Sequence, residues 1–213
     1  MTRRVWVFDL DNTLHNASAQ VFPHINRSMT AYLQQHLQLG EAEANALRVH
    51  YWQRYGATLT GLMRHHGTDP HHFLWHTHQF PDLPNMVLRE ARLRHVLRRL
   101  PGRKLVFSNG PQRYARAVLA LLKVDDLFDE VLGIEQSGFR PKPELAGFRQ
   151  MLRRQRLDPR RCVMVEDSAE NLETAKRLGM KTVWVSNSLR NPHYVDVKIG
   201  NVLELPRAFR RLD

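Results

Sequence analysis

The sequence predicts an α/β fold, a doubly wound, Rossmann-like parallel sheet with a helical cap inserted after its first strand. Two observations carry this. Short apolar, β-prone runs alternate with amphipathic helical patterns over most of the 213 residues, as crossover units of a parallel sheet require. One long stretch, residues 17–88, interrupts that alternation with helical periodicity alone and many aromatics and histidines.

Val5-Trp6-Val7-Phe8 is the first run and meets an acidic residue at once. Residues 104–107, 162–165 and 182–185 are runs of the same kind, too short for helices, and predict buried parallel strands. Helical patterns over 113–122, 144–154 and 169–178 each start near a Pro or Ser and end near a Gly, Asp or charged residue. The tail, 196–213, suggests a last short strand and a terminal helix. The expected division is therefore a catalytic core of residues 1–16 and 89–213 and a cap of residues 17–88, placed to lie over the carboxyl ends of the strands, where such folds bind ligands.

Hydrophobic residues make up 42% and charged residues 25%, with 11 Gly and 11 Pro, which fits a folded chain and not a disordered one. Cys162 is the only cysteine, so no intramolecular disulfide can form. The apolar run at the start is too short for a leader, and no stretch reaches the roughly 18 apolar residues of a membrane span, so a cytoplasmic protein without membrane contact is expected. The formal charge of +11 invites a nucleic-acid reading, but the arginines interleave with Leu and Val at helical spacing, as solvated outer faces do. Small anionic substrates, and no stable nucleic-acid partner, are the expected consequence.

Four fragments carry chemistry, each at the carboxyl end of a predicted strand. In Asp9-Leu10-Asp11-Asn12-Thr13-Leu14, two carboxylates converge as a strand opens into a loop, and their repulsion asks for a hard, oxygen-seeking cation, best Mg²⁺. Taken alone, this fragment also fits a strand end rich in turn formers. Ser108-Asn109-Gly110-Pro111 offers a hydroxyl, an amide and exposed N–H groups to a phosphate, or an ordinary cap and turn. Lys142, set between Pro141 and Pro143, is a cation on restrained backbone, suited to offsetting the charge of a carboxylate nucleophile and an incoming phosphate. In Glu166-Asp167-Ser168, Asp167 completes a metal site, Glu166 supports it from outside, and Ser168 suits a helix cap.

These fragments, in this order, resemble the four motifs of the haloacid dehalogenase-like hydrolase superfamily over nearly the whole chain. The resemblance implies that Asp9 forms a phospho-aspartyl intermediate and that Asp11 protonates the leaving oxygen and later activates water. It implies that Ser108 and Lys142 bind the transferring phosphoryl group, with Thr13, Asn109 and Gly110 as further substrate-binding residues. Asp9, Asp11 through its backbone carbonyl, and Asp167 hold Mg²⁺ on this reading. Tyr55-Gly56-Ala57-Thr58-Leu59-Thr60-Gly61-Leu62 resembles the lid signature of the pyrimidine 5′-nucleotidase branch, although its glycines also suit a tightly packed helix corner. The implied substrate is a small phosphorylated molecule, a nucleoside monophosphate foremost.

True haloacid dehalogenases lack an acidic residue at the place of Asp11, so its presence points to phosphate esters. A broad-range sugar-phosphate phosphatase or a phosphomutase is the alternative, because both keep the two aspartates. A non-enzymatic polyanion binder leaves the paired carboxylates without a purpose. His65, His66, His71, His72, His76 and His78 match no familiar zinc spacing and read as surface or lid-contact residues.

Overall fold

The computed structural model describes residues 4–212. Among these, β1 (Val5–Phe8), β2 (Arg103–Phe107), β3 (Glu130–Leu132), β4 (Cys162–Glu166), β5 (Lys181–Val185) and β6 (Val197–Ile199) form one sheet in the order β3-β2-β1-β4-β5-β6. Every neighbouring pair is parallel. β1 is central, with winding to both sides of it, so its carboxyl end is a topological switch point, the place where ligands bind in open α/β sheets.

Side chains alternate across a strand, and here both faces are apolar. Trp6, Phe8, Val106 and Val165 share one cluster with Tyr114, Val118 and Leu122 of α7 (Gln112–Leu122). Val7, Leu105, Phe107 and Met164 share another with Phe148 and Met151 of α8 (Leu145–Arg154) and Leu172 of α9 (Ala169–Arg177). Cys162 belongs to this second layer, and burial pushes its thiol up to about 12, which leaves it a packing residue.

The structure adds local detail to the expected elements. β3 was not expected: it has only three residues, too few to show a period, and it forms because Leu105, Val106 and Phe107 of β2 offer a free edge. Pro111 stands at the cap of α7, one residue before its first helical position. The terminal helix is short, with α10 (Leu205–Ala208) giving way to a 3-10 turn over Phe209–Leu212.

Between β1 and β2 the chain is helical, with α1 (Val21–Leu37), α2 (Glu41–Tyr55), α3 (Thr58–His66), α4 (Pro70–Thr77), α5 (Leu83–Met86) and α6 (Leu93–Arg98). Tyr32, Leu33, Tyr51, Leu62 and Phe73 build a separate apolar cluster joined by Ile134 from beyond β3. The segment's two ends behave differently: Ala17, Val21, Ile25, Leu83 and Val87 pack in the same cluster as Trp6 and Phe8. No helix among the described residues is long and apolar enough to cross a membrane.

Two glycines explain the α2–α3 corner. Gly56 turns the chain at φ 77°, and a Cβ there would lie 3.6 Å from Pro143 Cδ, so this corner rests on the Lys142-Pro143 loop. A Cβ on Gly61 would lie 2.2 Å from Tyr51 Cγ, so only glycine allows α2 and α3 to approach this closely. Gly61→Ala is therefore expected to destabilise the protein by roughly 1–3 kcal/mol through overpacking, read as a lowered unfolding midpoint in urea.

Candidate active site

Strand register assembles the site. Phe8 pairs with Val106 on one side and Val165 on the other, so Asp9, one residue beyond, stands between the ends of β2 and β4. Its N–H donates to Val165 O at 2.9 Å, which holds the backbone in place as the strand ends. The chain then folds back tightly: the Thr13 and Leu14 N–H groups both donate to Leu10 O, at 3.3 and 2.9 Å. Asn12 adopts the left-handed conformation at φ 61°, which Asn tolerates, and its Oδ1 accepts from the Ala17 and Ser18 N–H groups. Thr13 Oγ1 is buried here and has no hydrogen-bond partner among the described residues.

Lys142 reaches this point from the loop before α8. Its Nζ donates to Asp9 Oδ1 at 2.6 Å and to Glu166 Oε2 at 2.8 Å, and the lysine is only 2% exposed. Asn109 fixes the lysine's backbone, its Nδ2 donating to Lys142 O at 2.9 Å and its Oδ1 accepting from Lys142 N at 2.8 Å. The Asn109 side chain, expected to meet substrate, is thus engaged within the protein, and the Gly110 N–H likewise donates to Ser108 Oγ at 2.9 Å. Ser108 is buried and keeps its hydroxyl proton for another acceptor.

Glu166 ends β4 and is saturated. Its Oε1 accepts from the Asp167 and Ser168 N–H groups, both at 3.1 Å, and its Oε2 from Lys142 and from Asn171 Nδ2 at 2.9 Å. Ser168 sits at the cap of α9, yet its hydroxyl donates to Glu170 Oε2 at 3.0 Å instead of accepting from the helix.

Carboxylate oxygens of Asp9, Glu166 and Asp167 lie within 4.8 Å of one another, the only such ligand group among the described residues. Three acids face one lysine, so the site carries excess negative charge that a divalent cation offsets. The donors are all hard oxygens, with no His or Cys, which suits Mg²⁺ and not zinc. Because Glu166 has both oxygens committed, Asp9 and Asp167 are the side chains left to hold an ion.

Burial, reinforced by Glu166, raises Asp9 to about 7 despite the lysine beside it. Glu166 and Asp167 are also raised, chiefly by burial. Burial alone would depress Lys142, but the Asp9 and Glu166 carboxylates outweigh it and hold the ammonium charged. Folded Asp9 keeps its proton up to about pH 7, whereas an ordinary aspartate loses it near 3.8. Between those values the unfolded chain binds fewer protons, so metal-free stability falls as pH rises. Mg²⁺ is accordingly expected to raise the melting temperature more at pH 8 than at pH 5, measured against EDTA in thermal scans.

Asp11 stands outside this ligand group. Its Oδ1 accepts from Tyr114 OH at 2.5 Å and from His15 Nε2 at 2.9 Å. Burial and the Asp11 carboxylate raise the Tyr114 phenol well above its usual range. His78 is buried near the same tyrosine, its ring centroid 6.1 Å from that of Tyr114, and burial holds its imidazole down at about 4. Sequence reasoning missed Tyr114 and His15: the first reads as part of the apolar stripe of α7 and the second as one of 12 histidines. The other histidines of the helical segment engage neighbours, His65 and His66 meeting the Tyr55 and Tyr51 hydroxyls at 2.6 and 2.8 Å, and His72 that of Tyr32 at 2.9 Å.

The model of one family, haloacid dehalogenase-like hydrolase, matches residues 4–179. The chain belongs to the haloacid dehalogenase-like hydrolases. Phosphate metabolism protein 8 of Saccharomyces cerevisiae is 28% identical to this hydrolase over 138 residues, covering 61% of this chain and 43% of the yeast protein. The hydrolase thus spans under half the length of that relative. Its fold is similar to that of a HAD phosphatase from Thermococcus onnurineus, with TM-score 0.68, 21% identity and 97% of each chain covered. It is also similar to that of L-2-haloacid dehalogenase from Xanthobacter autotrophicus, with TM-score 0.62, 17% identity, and 98% of this chain and 99% of that one covered.

Proposed function

We propose that this hydrolase is a Mg²⁺-dependent phosphomonoesterase that works through a phospho-aspartyl intermediate on Asp9, with pyrimidine nucleoside monophosphates as its preferred substrates. The observation that carries the reading is Lys142 Nζ clamped between Asp9 and Glu166 beside Asp167, with a second carboxylate, Asp11, two residues along and outside that clamp.

In this reading Asp9 attacks phosphorus and the bond to the leaving oxygen breaks, while Asp11 gives that oxygen a proton. A water then attacks the phosphorus of the acyl phosphate, Asp11 takes its proton, and Asp9 leaves as a carboxylate. Lys142 orients the Asp9 carboxylate and neutralises charge as the phosphoryl group arrives. Ser108, through its free hydroxyl proton, and Thr13, through its unpartnered Oγ1, bind the phosphoryl oxygens. Asp9, Asp167 and the Asp11 carbonyl would hold Mg²⁺, which would supply Lewis-acid neutralisation of the negative charge on the phosphoryl oxygens.

The helices over residues 17–88 act as a cap that selects the leaving group and excludes water. Support comes from the Gly56 corner resting against Pro143 and from the resemblance of residues 55–62 to a nucleotidase lid. The presence of Asp11 favours phosphate esters over haloacids, and the yeast relative carries phosphate metabolism in its name.

The test is phosphate release from UMP, CMP, dTMP, AMP, GMP, several sugar phosphates and an aryl phosphate, with Mg²⁺ and with EDTA. Selective pyrimidine turnover that EDTA abolishes is expected. Equal turnover of sugar phosphates and nucleotides removes the nucleotide preference, and turnover indifferent to EDTA removes the metal.

A further inference from the structure

The two hydrogen bonds on Asp11 fall on the same oxygen. Tyr114 OH, from α7, and His15 Nε2, from the loop after β1, both reach Oδ1. A carboxyl oxygen has two lone pairs, so Oδ1 is filled by these two donors and has none left for a proton. His15 is a donor here for a structural reason. Its Nδ1 is buried without a hydrogen-bond partner, so the ring proton belongs on Nε2, where it has an acceptor. The Tyr114 phenol is likewise 3% exposed and has no competing partner in water. Oδ2, by contrast, has no partner among the described residues, and the Asp11 side chain keeps 15% of its surface open while that of His15 keeps none.

We propose that Tyr114 and His15 are a positioning pair that makes Asp11 a one-sided acid and base, confining its transferable proton to Oδ2. This deepens the phosphatase reading and rests on it. In the first step the Asp9–P bond forms, the P–O bond to the leaving group breaks, and the proton on Asp11 Oδ2 moves to the departing oxygen. In the second step water attacks phosphorus, its proton goes to Oδ2, and the Asp9–P bond breaks. Neither tyrosine nor histidine gives up a proton in either step. Their contribution is orientation: one donor allows the carboxyl to rotate about the Cβ–Cγ bond, and two donors from separate elements stop it.

The consequence is dependence on the leaving group. An alkoxide needs the proton of Asp11 as it departs, and an acidic nitrophenolate hardly needs it. The value of kcat/KM reports only steps up to departure of the leaving group, so hydrolysis of the phospho-enzyme does not enter.

The experiment measures kcat/KM for UMP, ribose 5-phosphate and 4-nitrophenyl phosphate in the wild-type protein and in Tyr114→Phe, His15→Leu and His15→Gln. Tyr114→Phe removes one hydroxyl without disturbing the packing of the ring. Its kcat/KM for whichever alkyl ester the wild type hydrolyses is expected to fall about 10- to 100-fold, part of the full range of general-acid catalysis, with less than about a threefold change for the nitrophenyl ester. His15→Leu is expected to show the same split, and His15→Gln, which keeps an N–H donor, to recover most of the loss. An equal fall for alkyl and nitrophenyl esters, or no fall at all, overturns the pair's role while leaving the phosphatase reading intact. A wild-type protein that hydrolyses none of the three esters overturns that reading and this assignment with it.

Discussion

Asp9→Asn is expected to reduce phosphate-ester turnover by roughly 10⁴-fold or more, the scale on which loss of a nucleophile registers. The substitution keeps the shape of the side chain and leaves Lys142 its contact with Glu166, so the fold should survive. A second effect separates it from simple damage. Asp9 is raised to about 7 by burial and by Glu166, so above that pH a buried carboxylate is ionised at a cost. Replacing it with a neutral amide should leave the melting temperature in EDTA at pH 8 unchanged or higher, while weakening the stabilisation that Mg²⁺ gives. Lost activity with a lowered, metal-independent melting temperature points instead to a structural role.

The second large effect is expected at Lys142. Methionine there removes the lysine charge between Asp9 and Glu166, both of them buried, and leaves two carboxylates facing each other. Breaking a buried ion pair from one side costs about 3–5 kcal/mol, so Lys142→Met should lower stability by that order in denaturant titration. Adding Glu166→Gln is expected to return part of the stability and none of the activity. That pattern ties the stability to charge balance and the activity to what lysine does for Asp9. Additive losses in the double variant contradict the charge account.

Much of this was readable in the sequence because the chemistry sits where strands end. Asp9, Ser108 and Glu166 each follow a β-prone run, and parallel register alone then brings them together. Lys142 was readable from its flanking prolines, though what secures it, the two-sided clamp of Asn109, was not: an amide that grips a backbone 33 residues away has no local signature. Tyr114 was hidden for a similar reason. Its ring fills a helical stripe like any core residue, and only the fold shows that its hydroxyl meets Asp11 from 103 residues away. β3 escaped because three residues carry no period, and the helical segment's two ends gave no sign that they pack into the sheet's own core.

The central claim is that the phosphoryl group passes through Asp9. The direct measurement is peptide mapping of the Asp11→Asn protein, acid-quenched during reaction with 4-nitrophenyl phosphate and Mg²⁺. Removing the base for the second step should let the covalent form accumulate, with the phosphoryl group on the peptide that contains Asp9. Phosphate on any other residue, or hydrolysis that proceeds with no covalent phosphate on the chain, contradicts the account.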